Sequence, residues 1–361
     1  MPNFFNYNRQ ELAELLEGLG YKKFRSEQLM RWVYHQQETN FAKMQNIPKI
    51  MRSELSKQLT TELPPVQSEK VSSCGTIKWL LGIDTKNAIE TVYIPETKRA
   101  TLCISSQIGC ALACQFCATG LTGFLRNLTT AEIISQVFYA NKRLEEIYGE
   151  NNFRKISNVV FMGMGEPLLN EANVFRAVDI LLDDLAFGLS KYKVTVSTSG
   201  IVPAIDRLTE NCKAALAISI HSANDQTRNK IVPINQRYPL EKLIKACDNY
   251  TEKTKRPITY EYVMLKKIND QKEDAQALAK LLGPRHAKIN LIPYNVIKDL
   301  KLEASDLTTI QKFKEILNKK GLITTVRKTR GDDISAACGQ LYGKVKERNK
   351  KIRVNEYQTT G

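Results

Sequence analysis

The sequence predicts an α/β protein: a partial (β/α)6 TIM-like barrel, preceded by a small helical domain and a short β extension. Three observations lead there. From the strand before the cysteine-dense stretch onward, strand-like and helix-like segments alternate, and about six βα units fit. Alternation of this kind gives a parallel sheet with helices outside. Residues 1 to about 62 instead carry apolar residues at helical spacing. Between about 65 and 103, short apolar or alternating runs are separated by turn residues, the pattern of strands.

Each element has its own signal. "RQELAELLEGLG" places Leu12, Leu15, Leu16 and Leu19 on one helical face, and Gly20 fits a C-terminal stop. "RSEQLMRWVYHQQ" repeats the pattern with Leu29, Trp32 and Val33, and Ser26 reads as its N-cap; "IPKIMRSELSKQL" gives a third helix. "TIKWLLGI", "AIETVYIP" and "RATLCIS" read as strands of a small sheet. Thr129 and Glu132 form a capping box for the helix that follows the cysteines. Then come strands "SNVVFMGMGEP", "KVTVSTSG", "AALAISIHS", "ITYEYVML" and "KINLIPYN", each leading into a helix, and a last strand "ITTVRKT". The expected domains are 1–64 (helical accessory), 65–95 (linking β extension), 96–334 (core barrel) and 335–361 (C-terminal segment with a basic tail). Several strands end in polar or glycine-rich residues, and strand C-termini are where barrels of this kind carry their active sites.

Composition narrows the partners. The chain has 361 residues, 42% hydrophobic and 25% charged, with a formal net charge of +15. That excess favours a polyanion, and nucleic acid leads. Basic runs recur in "YKKFRSEQ", "VRKTRGDD" and "KVKERNKKIR". The N-terminal stretch lacks an uninterrupted apolar core, and no window holds eighteen consecutive apolar residues, so neither secretory signal nor membrane span is expected. The expected location is the cytoplasm, where thiols stay reduced or bind metal.

"CISSQIGCALACQFCATG" holds four of the eight cysteines. Cys110, Cys114 and Cys117 have the spacing C-x3-C-x2-C; Cys103 stands apart. Structural zinc commonly takes four ligands from two separated pairs, and this loop offers three. Iron–sulfur clusters take thiolates, usually four. Three thiolates on such a cluster leave one iron open for a substrate. Cys74, Cys212 and Cys247 match no motif and read as core.

The spacing resembles that of the radical S-adenosylmethionine superfamily, as does "FMGMGEP", a glycine-rich strand end that lets a ligand approach the backbone. "GFLRNLTTAEIISQV", "STSG", "SIHS", "LIPYN" and "VRKTRGDDISAACGQL" narrow the resemblance to the dual-specificity methyltransferases that methylate carbon 2 of an adenosine in 23S rRNA and in some tRNAs. It runs from about residue 10 to 345, with no departure at any motif position.

The resemblance implies a radical route, since carbon 2 of adenine is too electron-poor to attack a methyl donor. It implies a 4Fe–4S cluster on Cys110, Cys114 and Cys117, and two S-adenosylmethionines per turnover. One methylates Cys338; the other yields a 5′-deoxyadenosyl radical that takes a hydrogen from that methyl group. The methylene adds to adenine, and Cys103 removes the carbon-2 proton and releases the product by forming a disulfide with Cys338. Glu90 is carried over as an acid–base residue, with a solvated strand residue as its plainer reading. Gly165, Glu166, Ser197, Ser219, Ile220, His221 and Asn295 are carried over as S-adenosylmethionine contacts; His221 reads equally as a core histidine. A flavodoxin-type electron donor and a monomeric state are expected. A carbon-8 methyltransferase of the same superfamily shares these cysteines. A non-catalytic zinc-binding RNA protein is the remote alternative.

Overall fold

The structure is a computed structural model that describes residues 1–149, 155–283, 285–297 and 300–343. Helix α1 (Arg9–Gly18) starts at a capping box between Asn8 and Glu11, and Gly20, at φ 81°, turns the chain after it. Helix α2 (Phe24–Met30) begins two residues before the expected cap. Ser26 lies inside its first turn, where the hydroxyl donates to the Lys23 carbonyl at 2.7 Å instead of capping the helix. A single π-helical turn, Arg31–His35, extends it. Helix α3 (Lys49–Gln58) follows Pro48. Leu12, Leu16, Leu29, Val33, Met51 and Leu55 are all buried.

Strands β1 (Val66–Val71), β2 (Ile77–Gly82) and β3 (Ala88–Pro95) form an antiparallel meander, and β3 pairs antiparallel with β4 (Ala100–Cys103). A hairpin of β5 (Gln107–Gly109) and β6 (Phe124–Asn127) brackets the cysteine loop and the short helix α4 (Ala118–Thr122). Then come α5 (Thr130–Tyr148), β7 (Asn158–Phe161), α6 (Glu171–Leu182), β8 (Val194–Thr198), α7 (Val202–Asn211) and β9 (Ala215–Ser219). The chain continues with α8 (Asp225–Ile231), α9 (Leu240–Thr254), β10 (Ile258–Met264), α10 (Lys272–Leu282), β11 (Ala287–Pro293), α11 (Leu307–Lys319) and β12 (Ile323–Val326). Thr129 and Glu132 form the expected capping box on α5.

Strands β4 and β7 to β12 run parallel, in chain order. Six of them lead into helices and β12 ends the series, as the alternation predicts. The extension is not a separate small sheet. β1 to β3 continue the barrel sheet, so that ten strands form one sheet in the order β1-β2-β3-β4-β7-β8-β9-β10-β11-β12. β12 and β4 do not pair, and a cavity of about 610 Å³ opens along that side, from Arg99 to Cys338.

The helical segment packs on the barrel's outer helices. Phe5 meets Phe138 of α5 with ring centroids 5.0 Å apart, and Tyr34 meets Phe187 at 5.2 Å. Arg176 of α6 donates to Glu11 at 2.7 Å.

Candidate active site

The cysteine loop is pinned from several directions. The Cys110 amide donates to the Gly123 carbonyl at 2.8 Å, Gln115 to Ile231 at 3.0 Å, and Ala118 to Gly339 at 2.7 Å. Cys110, Cys114 and Cys117 all line one cavity of about 150 Å³, together with Gly165, Glu166, Ser197, Ser219, His221 and Cys338. Burial drives each of the three thiols upward in pKa, Cys114 to about 12, and their mutual proximity adds to the rise at Cys110 and Cys114. Deprotonated together, they need a compensating cation. Among the described residues no three ligating side chains converge on a point for a single metal ion. Three thiols around a cavity suit a cluster in which each iron takes one sulfur.

The strand ends above this loop are shaped by backbone. Gly165 has φ 98°, and a Cβ there would lie 2.5 Å from the Gln107 side chain. No other residue fits this approach. It brings Glu166 into the cavity wall, where its carboxylate accepts from Ser199 N at 2.9 Å and Leu168 N at 3.1 Å. Burial raises its pKa to about 7, against the pull of these hydrogen bonds. His221 is buried and left-handed at φ 52°. Its Nδ1 accepts from Val263 N at 3.0 Å, which leaves the ring proton on Nε2, and its ring packs edge-on against Phe116. Burial, then the Arg228 charge, lower its pKa to about 3. Ser197 and Ser219 reach the cavity, whereas the Ile220 side chain does not; Ile220 contributes a carbonyl that accepts from Arg228. Asn295 donates to the Cys338 carbonyl at 2.9 Å and lines the larger cavity.

Cys338 opens into both cavities. Cys103, at the end of β4, is buried; burial and then the nearby Cys338 charge raise its thiol to about 12, while Arg327 pulls it down. Arg327 is held firmly charged, first by Cys338 and further by Glu261 and Cys103. All eight cysteines are free thiols, so the expected Cys103–Cys338 pair is no resident crosslink. Cys212 and Cys247 lie in the core, but Cys74 does not. It sits half-buried in the turn after β1, where contacts with Ser72 and Thr76, each 3.2 Å, outweigh burial and lower its pKa to about 6.

Glu90 is not a solvated strand residue. It is buried on β3, with one carboxylate oxygen 2.9 Å from Lys78 Nζ and the other accepting from Tyr342 N at 2.8 Å. Sequence reasoning missed Lys78, Arg228, Glu261 and Arg327. Arg327 falls in a basic run read as RNA-contacting surface, yet it lines both cavities together with Glu261 and Cys338. The run "KVKERNKKIR" lies outside the described residues.

Residues 2–60 match the model of the ribosomal RNA large subunit methyltransferase N-terminal domain, and residues 104–281 match that of the radical SAM superfamily. The dual-specificity RNA methyltransferase RlmN of Ruthia magnifica is 51% identical over 351 residues, 97% of each chain. The chain belongs to the RlmN family. The RlmN of Vesicomyosocius okutanii is 50% identical over 357 residues, 98% of this chain and 99% of that one. A crystal structure of a radical SAM methyltransferase from Sphaerobacter thermophilus superposes with a TM-score of 0.87 at 39% identity, covering 94% of this chain and 99% of that one. As an RlmN-family member the protein is a radical SAM RNA methyltransferase, and the superfamily implies a 4Fe–4S cluster and S-adenosylmethionine. Among the described residues no helix is long and apolar enough to cross a membrane.

Proposed function

We propose that the protein methylates carbon 2 of a specific adenosine in 23S rRNA and in certain tRNAs, with Cys338 as methyl carrier and Cys103 as the resolving thiol. The observation that carries this reading is the position of Cys338. It opens both into the cavity of the three loop cysteines and into the large lateral cavity, with Cys103 close by.

Cys110, Cys114 and Cys117 would hold the cluster. Gly165, Glu166, Ser197, Ser219, His221 and Asn295 would hold S-adenosylmethionine, and Ile220, whose backbone bonds Glu261, Ser222 and Arg228, would fix the strand end beside them. Bound there, cluster and cofactor supply the methyl group and the one-electron chemistry that removes one of its hydrogens, on an electron from a flavodoxin-type donor. The chain's own residues do the rest. Cys338 carries the carbon as a thioether and delivers it to adenine, whose extrusion from its stack brings it within reach. Cys103 accepts the carbon-2 proton, and the adduct's unpaired electron would return to the bound cluster, so that the ring regains its closed-shell aromatic form. Its sulfur then attacks the Cys338 sulfur; the sulfur–carbon bond breaks as the sulfur–sulfur bond forms, and a proton completes the methyl group. The half-buried Arg327 cation favours the thiolate form of Cys103, which burial alone opposes.

The test is Cys103→Ala protein incubated with labelled RNA. Denaturing electrophoresis should show a covalent adduct joined through Cys338, because the thioether forms but is not released. Wild-type protein should yield 2-methyladenosine in digested RNA, separated from the carbon-8 isomer by retention. Methylation by Cys103→Ala without an adduct would exclude the resolving role.

A further inference from the structure

Lys78 and Glu90 are an ion pair buried inside a sheet. They lie diagonally across β2 and β3, where Lys78 is opposite Val92 and Glu90 opposite Leu80, so both side chains share one face. Each is under a tenth exposed, and the charges approach to 2.9 Å. Such a pair is weak evidence for stability, since apolar residues of like volume often serve as well. What the pair touches explains it better. Lys78 Nζ donates to the Ser335 carbonyl at 2.9 Å. The second Glu90 oxygen accepts from Tyr342 N at 2.8 Å and Gly343 N at 3.3 Å. The pair therefore grips the C-terminal loop on both sides of Cys338, three residues before it and four to five after it. Bonds from charged groups to backbone are the strong ones.

Other contacts close the grip. Asp333 accepts from Ser72 Oγ at 2.5 Å and Ser73 N at 3.1 Å, and Thr119 Oγ1 donates to the Leu341 carbonyl at 2.6 Å. Gly343 lies so close to β3 that a Cβ there would stand 2.6 Å from the Ala88 carbonyl. Glu90, by contrast, lines neither cavity into which Cys338 opens. Both its carboxylate oxygens are engaged, and its carbonyl accepts from Ser105 Oγ at 2.7 Å.

We infer that Lys78 and Glu90 are positioning residues that latch the Cys338 loop, fixing the sulfur between the cysteine-loop cavity and Cys103. This rests on the reading of Cys338 as methyl carrier, and it gives Glu90 a structural task at the site in place of acid–base chemistry. A carrier must present its carbon to adenine and its sulfur to Cys103 from one backbone position, and a misplacement of about 1 Å can cost roughly 10²-fold in rate.

The experiment compares full-length wild type with Lys78→Met, Glu90→Gln, Lys78→Arg and the double variant Lys78→Met/Glu90→Gln. The readouts are RNA turnover, iron content, Cys338 mass and backbone amide exchange of the loop. The double variant strands no buried charge, so it separates folding from positioning. We expect Lys78→Met, Glu90→Gln and the double variant to lose roughly 10²-fold in kcat. Iron content and RNA KM should stay near wild type, and loop amides near Gly343 should exchange faster. Lys78→Arg should recover most of the turnover. Wild-type turnover in Lys78→Met or in the double variant, with Cys338 methylated, overturns the latch alone. So does loss confined to Glu90→Gln with loop exchange unchanged, which would mark Glu90 as an acid–base group. Unmodified Cys338 in active wild-type protein overturns the carrier reading and the latch with it.

Discussion

His221 shows how one residue at the cavity wall sets a pH response. Its Nδ1 accepts a backbone N–H and its ring is buried, so the folded protein holds it neutral down to about pH 3. In the unfolded chain an ordinary histidine titrates near 6.5. Between those values the unfolded chain binds the extra proton, so stability rises with pH. His221's contribution is complete above about 6.5 and is lost as pH falls toward 3. The slope is about 1.4 kcal/mol per pH unit in that window. Asn is the informative replacement: it tolerates the left-handed backbone and keeps an acceptor for Val263 N. Denaturant unfolding at pH 7.5 and 5.5 should therefore cost wild type about 1.4 kcal/mol more than His221→Asn. Equal losses would mean that the imidazole titrates normally in the folded state.

At the scale of elements, the ends of β8 and β9 are tied together by a side chain from α8. Arg228 is fully buried and donates to the carbonyls of Ile220 at 2.9 Å, Ser199 at 2.8 Å and Ser219 at 3.0 Å, and to Asn235 Oδ1 at 2.6 Å. Burial depresses its pKa to about 10, yet it stays charged at neutral pH. Arg228→Met takes this donor from the Ser199 and Ser219 carbonyls and from Asn235 Oδ1, while the Ile220 carbonyl keeps Ser222 N at 2.7 Å, and each buried unmet group costs about 1–3 kcal/mol. Chemical denaturation should register a loss of about 3 kcal/mol or more; a loss below about 1 kcal/mol would show that water or neighbours replace the guanidinium. Arg228 was invisible in the sequence for a reason that applies widely. Ser199 is 29 residues away, and only the fold joins them. Lys78 is likewise joined to Ser335 across 257 residues. The cysteine loop, by contrast, carries its chemistry in local spacing and was legible at once. So were the βα alternation and the α5 capping box, which rest on short-range periodicity. β1 was missed because "VQSEKV" is almost wholly exposed and shows no buried face. The small β5–β6 hairpin and the seven-residue α8 are too short to show a period. That the extension continues the barrel sheet depends on pairing β3 with β4, which no local pattern encodes.

On the scale of the whole molecule, the helical segment, the barrel and the net charge act together. The segment shares an apolar core with α5 through Phe5 and with Phe187 of the loop after α6 through Tyr34, so it presents its outer basic residues on a platform fixed to the barrel. Lys22 and Lys23 are exposed on that platform, and Lys328 is exposed at the rim of the large cavity. With a net charge of +15 and an RNA substrate, phosphate contacts should dominate affinity. Counterion release then makes affinity fall steeply with salt, by about 10³-fold between 50 and 200 mM if roughly six phosphates are engaged on duplex-like RNA. If the adenine reaches Cys338 through the lateral cavity, as the proposed function requires of one of its two openings, its flanking phosphates come to the rim, where Lys328 stands. Lys328→Ala should weaken RNA binding in titrations and lower the salt slope by about one. Its effect should be nearly the same for RNAs of different sequence, since a phosphate contact positions and does not specify. An unchanged slope would place the phosphates elsewhere, and the same titration on Lys22→Ala/Lys23→Ala would then locate them on the helical platform.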